Sequence, residues 1–144
     1  MIIIVDSREK NPLNFTVSTE VAGLKTGDYS VKGVEDKIAI ERKTINDLVG
    51  SLSTERERFQ RELLRGKSLE FFALVIETTF DQLIQGKYKS KMTPQAVAQS
   101  LFAFQVRYDL HIWLASNRRH AGYIVEGLLK WAVKEKDKAV ENIC

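Results

Sequence analysis

Three short apolar runs constrain this chain most: MIIIVD at Met1–Asp6, EFFALVIE at Glu70–Glu77 and LHIWLA at Leu110–Ala115. Each has strand length and is rich in branched or aromatic side chains, so each predicts a buried strand. Stretches with helical spacing lie between them. Thr44-Ile-Asn-Asp47 matches a capping box and predicts a helix over Ile45–Leu52, with a second near Glu55–Arg65. Thr93 and Pro94 open a longer helix carrying Val97, Leu101, Phe104 and Tyr108, and a last helix covers Arg119–Lys134. Two more strands, Asp28–Lys32 and Ile38–Lys43, are joined by the turn-like Gly33–Asp36. Buried strands alternating with helices predict an α/β fold of three layers, a central sheet with helices on both faces. The early hairpin makes that sheet mixed rather than purely parallel.

Residues 1–144 suit a single domain with one core. The longest apolar run, Phe71–Ile76, is far below the roughly 18 residues of a membrane span. The N-terminus turns acidic at Asp6 and does not read as a signal peptide. One cysteine, Cys144, excludes an internal disulfide, and a cytoplasmic setting is expected. The net charge, 22 − 19 = +3, is compatible with a polyanionic partner without requiring one. Its distribution is more pointed. Arg42, Lys43, Arg56, Arg58, Arg61, Arg65 and Lys67 crowd one segment, and Lys87, Lys89 and Lys91 form a second basic cluster. No Gly-rich phosphate-cradling loop supports a small phosphoester as substrate.

Side chains alternate faces along a strand, so Glu41 and Lys43 project together and Arg42 points away. A carboxylate and an ammonium so spaced suit phosphodiester hydrolysis: the acid holds a divalent cation, and the lysine orients water or stabilises developing charge. Hard cations take several oxygen ligands, and Asp28 is placed to supply one. A four-residue loop at Gly33–Asp36 pairs Lys32 with Lys37 and sets Asp28 opposite Glu41, about 5 Å away. A register shift of one residue would instead bring Asp28 opposite Arg42. Asp6, at the end of the first strand, reads either as a third metal ligand or, with Ser7, as a turn cap.

VDSRE (Val5–Glu9), LKTGDYSV (Leu24–Val31) and IERKTINDLVGSL (Ile40–Leu52) together resemble the XPF family of structure-specific nucleases. That family is marked by a GD, then an ERK, then an Asp four residues after the lysine. Gly27, Asp28, Glu41, Arg42, Lys43 and Asp47 fill every position. The resemblance continues through Arg56, Gln60 and Glu77 and, more loosely, through Arg107-Tyr108 and Asn117-Arg118. It implies a restriction-endonuclease-like fold, dependence on Mg2+ or Mn2+, and cleavage of branched or flapped DNA in repair or recombination. It also implies Asp6, Asp28 and Glu41 as metal ligands, with Arg8, Arg42, Lys43 and Asp47 completing the catalytic set. Many relatives add a tandem helix-hairpin-helix domain and some a helicase. Neither is expected within these residues, so a separate DNA-binding partner enters the reading.

Several of these residues also have a plainer reading. Arg42 either ties down a neighbouring element or reaches phosphate, and Asp47 either caps its helix or supports Lys43 or Arg42. Arg8 either touches the scissile phosphate or makes only local contacts, and Glu9 reads as structural. Arg56 and Gln60 share an inward helix face with Phe59 and Leu63, which points Arg56 at a carboxylate or at DNA phosphate. Arg58, Arg61 and Arg65 face outward, where Arg58–Glu62 is a solvated i,i+4 pair. Lys87, Lys89 and Lys91 are candidates for phosphate contact. Trp113 and Phe104 read as core, and neither His111 nor His120 has a partner at metal-ligand spacing. In the last helix Val125, Leu128, Leu129 and Ala132 define one apolar face, and Ile124, Gly127 and Trp131 widen it. That surplus predicts a homodimer through the C-terminal helices, as the resemblance also implies. A catalytically silent DNA-binding scaffold is the alternative function, since some XPF-like proteins pair an active chain with an inactive one.

Overall fold

The computed structural model describes residues 1–143, and Cys144 lies outside the described residues. Six strands form one sheet: β1 (Ile3–Asp6), β2 (Thr19–Ala22), β3 (Tyr29–Val31), β4 (Ile38–Thr44), β5 (Phe71–Glu77) and β6 (His111–Ala115). Their spatial order is β2-β1-β3-β4-β5-β6. β3 runs antiparallel to both β1 and β4, while β1–β2, β4–β5 and β5–β6 are parallel, so the sheet is mixed. β1 and β4 consequently point the same way and end at the same edge of the sheet, where the chain also enters β3. This edge holds the candidate site.

Five helices cover the sheet: α1 (Ile45–Leu52), α2 (Arg56–Lys67), α3 (Phe80–Ile84), α4 (Pro94–Tyr108) and α5 (Arg118–Ile143). On one face Ala39, Phe72, Leu74 and Ile76 pack under Leu48 and Leu52 of α1, Phe59 and Leu63 of α2, and Val97 and Phe104 of α4. On the other, Ile3, Val5, Ile38, Ile40, Ala73 and Val75 pack against Ala121, Val125 and Leu129 of α5. The side-chain alternation of β4 and β5 thus divides two cores between the two faces. The helices are capped much as their sequences suggest. Thr44 Oγ1 accepts the N–H of Asp47 at 3.2 Å, and Thr93 Oγ1 accepts that of Ala96 at 3.1 Å ahead of Pro94.

The observed elements depart from expectation in four places. β2 was not foreseen: TEVA is exposed throughout and is held by parallel pairing to β1 and by an exposed Glu20–Lys32 ion pair at 3.0 Å. α3, one turn and a half behind a Thr79–Gln82 capping box, is also additional. α5 continues past Lys134 to Ile143. Trp113 is not core, because it lies 49% exposed on the edge strand β6, whereas Phe104 is fully buried. Among the described residues no helix is long and apolar enough to cross a membrane.

Candidate active site

The GD pair determines how the sheet edge is built. Gly27 has φ +80°, and a Cβ there would lie 3.0 Å from that of Ala39, so only glycine turns the chain this tightly against β4. Asp28 follows, and its backbone groups and one carboxylate oxygen are assigned. Its N–H donates to Ile40 O at 2.8 Å and its carbonyl accepts from Asp6 N–H at 2.9 Å. Its Oδ2 accepts from Arg42 N–H at 2.8 Å, so the side chain continues the ladder where the backbone leaves it. Tyr29 pairs with Ile40, which by the antiparallel count sets Asp28 opposite Glu41.

These residues line a polar cavity of about 170 Å3 together with Asp6, Arg8, Lys25, Thr26, Glu62 and Arg65. Glu41 is buried to 7% exposure, and among the described residues neither of its oxygens accepts a protein hydrogen bond. Burial pushes the Asp28 carboxyl above its ordinary range, opposed by the Arg42 N–H and by the Lys43 charge and reinforced by Asp6. Lys43 projects from the same face of β4, its Nζ 5.0 Å above the ring of Phe59. Burial pulls its ammonium below the ordinary value, against the pull of Asp28 and Asp47.

Asp6 is committed to the protein. Its Oδ1 accepts Leu24 N–H at 2.9 Å and its Oδ2 accepts Arg8 Nε at 2.9 Å, while Arg8 also donates to Leu24 O. The pair fastens β1 to the Leu24–Gly27 turn and places the largely exposed Arg8 at the cleft's lip. Arg42 is on the opposite face, as the alternation requires. It pairs with Glu77 at 3.1 Å and Glu9 at 3.5 Å and donates to Asn11 O at 3.0 Å. Arg118 of α5 donates to the same carbonyl at 2.9 Å, so two arginines hold the Asn11–Pro12 loop from two elements. Burial pushes the Glu9 carboxyl up.

The remaining predicted residues lie outside the cleft. Asp47 is exposed on the first turn of α1, its N–H capped by Thr44. The partners of Arg56 are α1 and α4, not an acid: it donates to Leu52 O at 3.0 Å and to Ser100 Oγ at 3.1 Å and lies 4.9 Å over Phe104. Gln60 faces a shallow groove beside Tyr108. The segment holding Lys87, Lys89 and Lys91 is tied to α1 through Lys89 N–H and Asn46 Oδ1 at 2.8 Å.

Two cleft residues were not foreseen. Glu62 does not pair with Arg58, which instead meets Glu55 at 3.5 Å. It turns into the cleft, where burial and then the Asp28 charge push its carboxyl up to about 7. Arg65, one turn on, is exposed as expected and also borders the same cavity. Only the spacing of three between them hinted at a shared face.

Among the described residues no three acidic, histidine or cysteine side chains converge into a ready-made metal cage. The donor set fits a hard cation that keeps much of its water. Such an ion needs only one or two carboxylates, and Glu41 and one oxygen of Asp28 are available.

Residues 5–128 match the family model of the ERCC4 domain. Among solved structures, XPF from Aeropyrum pernix aligns with a TM-score of 0.74 and 22% identity, covering 92% of this chain and 61% of that one. A second, of XPF from Aeropyrum pernix in complex with DNA, aligns at 0.73 and 22%, covering 93% and 66%. These establish the restriction-endonuclease-like fold. A candidate ATP-dependent RNA helicase of Methanocaldococcus jannaschii is 28% identical over 144 residues, 98% of this chain and 16% of that protein. The chain therefore spans about a sixth of this curated relative.

Proposed function

Because the chain belongs to the ERCC4 domain family, we propose that it is a divalent-metal-dependent DNA endonuclease acting on branched or flapped DNA in repair or recombination. The observation that carries this reading is the opposition of Asp28 and Glu41 in a polar cleft, with Lys43 on the same face. Glu41 and Asp28 would hold Mg2+ or Mn2+, and Asp6 would brace the Asp28 backbone. When bound, the cation supplies charge to the scissile phosphate and lowers the pKa of attacking water. Lys43, partly stripped of water, orients that attacking water and stabilises the charge developing on phosphate oxygen. Arg8 reaches toward the phosphate from the lip, and Arg42 acts through β4 rather than at the reacting atoms. Asp47 tempers the charge on Lys43. Arg56 serves the helix pair more than DNA, while Gln60 in its groove and Lys87, Lys89 and Lys91 offer sequence-independent contacts to DNA.

Residues 1–144 form the nuclease domain in this proposal, and substrate structure is read with a second copy or a separate DNA-binding partner. A homodimer through the C-terminal helices is favoured by apolar surface left open on α5, with Tyr123 84% and Trp131 56% exposed. A strict monomer in sedimentation at concentrations well above micromolar would overturn it. The central test is cleavage of end-labelled flap, fork, junction, duplex and single-stranded DNA with Mg2+ or Mn2+, alongside Glu41→Ala. Metal-dependent cutting lost in the variant is expected. Binding by both proteins with cutting by neither would replace the nuclease with the silent scaffold.

A further inference from the structure

A second cavity, of about 400 Å3, adjoins the acidic cleft across Lys25, Thr26 and Arg65, which line both. Leu24, Leu69 and Ser68, with the acidic Glu35 and Asp36, complete its lining. The two cavities thus share two cations, with four carboxylates lining the one and two leucines and two carboxylates lining the other. Neither Lys25 nor Arg65 forms an ion pair among the described residues, and both are exposed at the lip. Their charges sit next to a centre where other carboxylates already crowd one another, a place that favours a polyanion passing over them.

We propose that this cavity receives the nucleotide next to the scissile phosphate, its base unstacked. The following phosphate lies between Lys25 and Arg65, the base against Leu24 and Leu69, and an exocyclic amine faces Asp36. The inference rests on the nuclease reading for what occupies the acidic cleft. The volume falls within the roughly 300–1,000 Å3 of small-ligand sites. A base held in a duplex is stacked and paired, and moving it into a recess costs a few kcal/mol. A strand already unpaired on that side avoids the cost. The cavity would thus make an unpaired flank beside the cut the preferred substrate through direct occupancy.

The test is fluorescence anisotropy in EDTA, where nothing is cut. A blunt duplex is compared with the same duplex carrying a single-stranded overhang, each across a salt series. The wild type should prefer the overhang. Lys25→Ala with Arg65→Ala should reduce the log–log salt slope on the overhang by roughly 0.7, the share of the one phosphate they hold on a single strand, and leave the duplex slope unchanged. Ser68→Trp narrows the cavity from an exposed position without removing either cation, and should remove the overhang preference alone. Equal slope losses on both DNAs, unchanged slopes, or no overhang preference in the wild type would each overturn the proposal. Failure to cut with Mg2+ or Mn2+ would overturn the nuclease reading instead, and leaves these metal-free slopes as they are.

Discussion

Replacing Glu62 with Gln should stabilise the metal-free protein above neutral pH and do little in mild acid. The folded carboxyl titrates at about 7 against an ordinary 4.5, raised by burial and then by Asp28. Between those values the folded chain keeps a proton that the unfolded chain has released, so stability falls as pH rises. The contribution is fully present below about 4.5 and gone once pH has passed through about 7. The gap, 7 − 4.5 = 2.5, sets a ceiling of about 3 kcal/mol at about 1.36 kcal/mol per unit. Glu62 is only partly buried, and solvent screening reduces this to about 1–2 kcal/mol. For a chain of this size that is about 3–6 °C in melting temperature. Circular dichroism melts in EDTA at pH 8 and pH 5 would read it: Glu62→Gln should melt higher at pH 8, with the gap shrinking at pH 5. Mg2+ titrated at pH 8 should narrow the gap, because a cation bound only by the folded state relieves the Asp28 repulsion, the smaller of the two causes. An equal shift at both pH values, of either sign, would refute the placement of Glu62 beside Asp28.

Arg42→Ala should cost about 3–5 kcal/mol in urea unfolding, because it leaves Glu77 and Glu9 half-buried without their cation; a loss under about 1 kcal/mol would mean that water reaches both acids. Gly66→Ala gains up to about 1 kcal/mol in helix propensity. Its new Cβ would nevertheless lie 2.3 Å from Phe72 Cδ2, so a net drop in melting temperature is expected, and a rise would show that the Phe72 ring yields freely. Tyr29→Phe removes the hydroxyl that accepts the buried Leu13 N–H at 2.9 Å and should cost about 1–2 kcal/mol by the same unfolding assay.

What could be read from the sequence was whatever local physics determines. The helix over Ile45–Leu52 appears with its expected ends, because Thr44 caps one end and the apolar pattern stops at the other. The hairpin register follows from loop length, and it brings Asp28 opposite Glu41 as the count predicts. β2 escaped because an edge strand exposed on both faces carries no alternation, and its pairing to β1 uses the backbone alone. Glu62 and Arg65 escaped for a different reason. A helical wheel separates core from solvent, but the wall of a cleft looks polar either way. That this side of α2 overhangs the edge where β1, β3 and β4 meet is tertiary information. Asp6 was legible as an acid at a strand end, but Leu24 N–H and Arg8, which occupy its two oxygens, come from a turn whose path only the fold defines.

The three consecutive residues Glu41, Arg42 and Lys43 act as one device because β4 is a strand. Glu41 and Lys43 face the cleft, where a buried carboxylate and a partly desolvated ammonium are costly unless phosphate and metal complete the charge pattern. On that face the Asp28 bond engages the backbone N–H of Arg42, and the Lys43 ammonium meets the ring of Phe59. Beyond the ladder to β5, a further restraint comes from behind. Arg42 joins β4 to the end of β5 through Glu77 and to the loop after β1 through Glu9 and Asn11. Arg118 extends the same clamp to α5. Rotation of β4 that would swing Glu41 away from Asp28 must therefore break an ion network on the opposite face. The arginine between Glu41 and Lys43 steadies the strand that carries both, and Lys would serve poorly there because a single ammonium cannot span two carboxylates and a carbonyl.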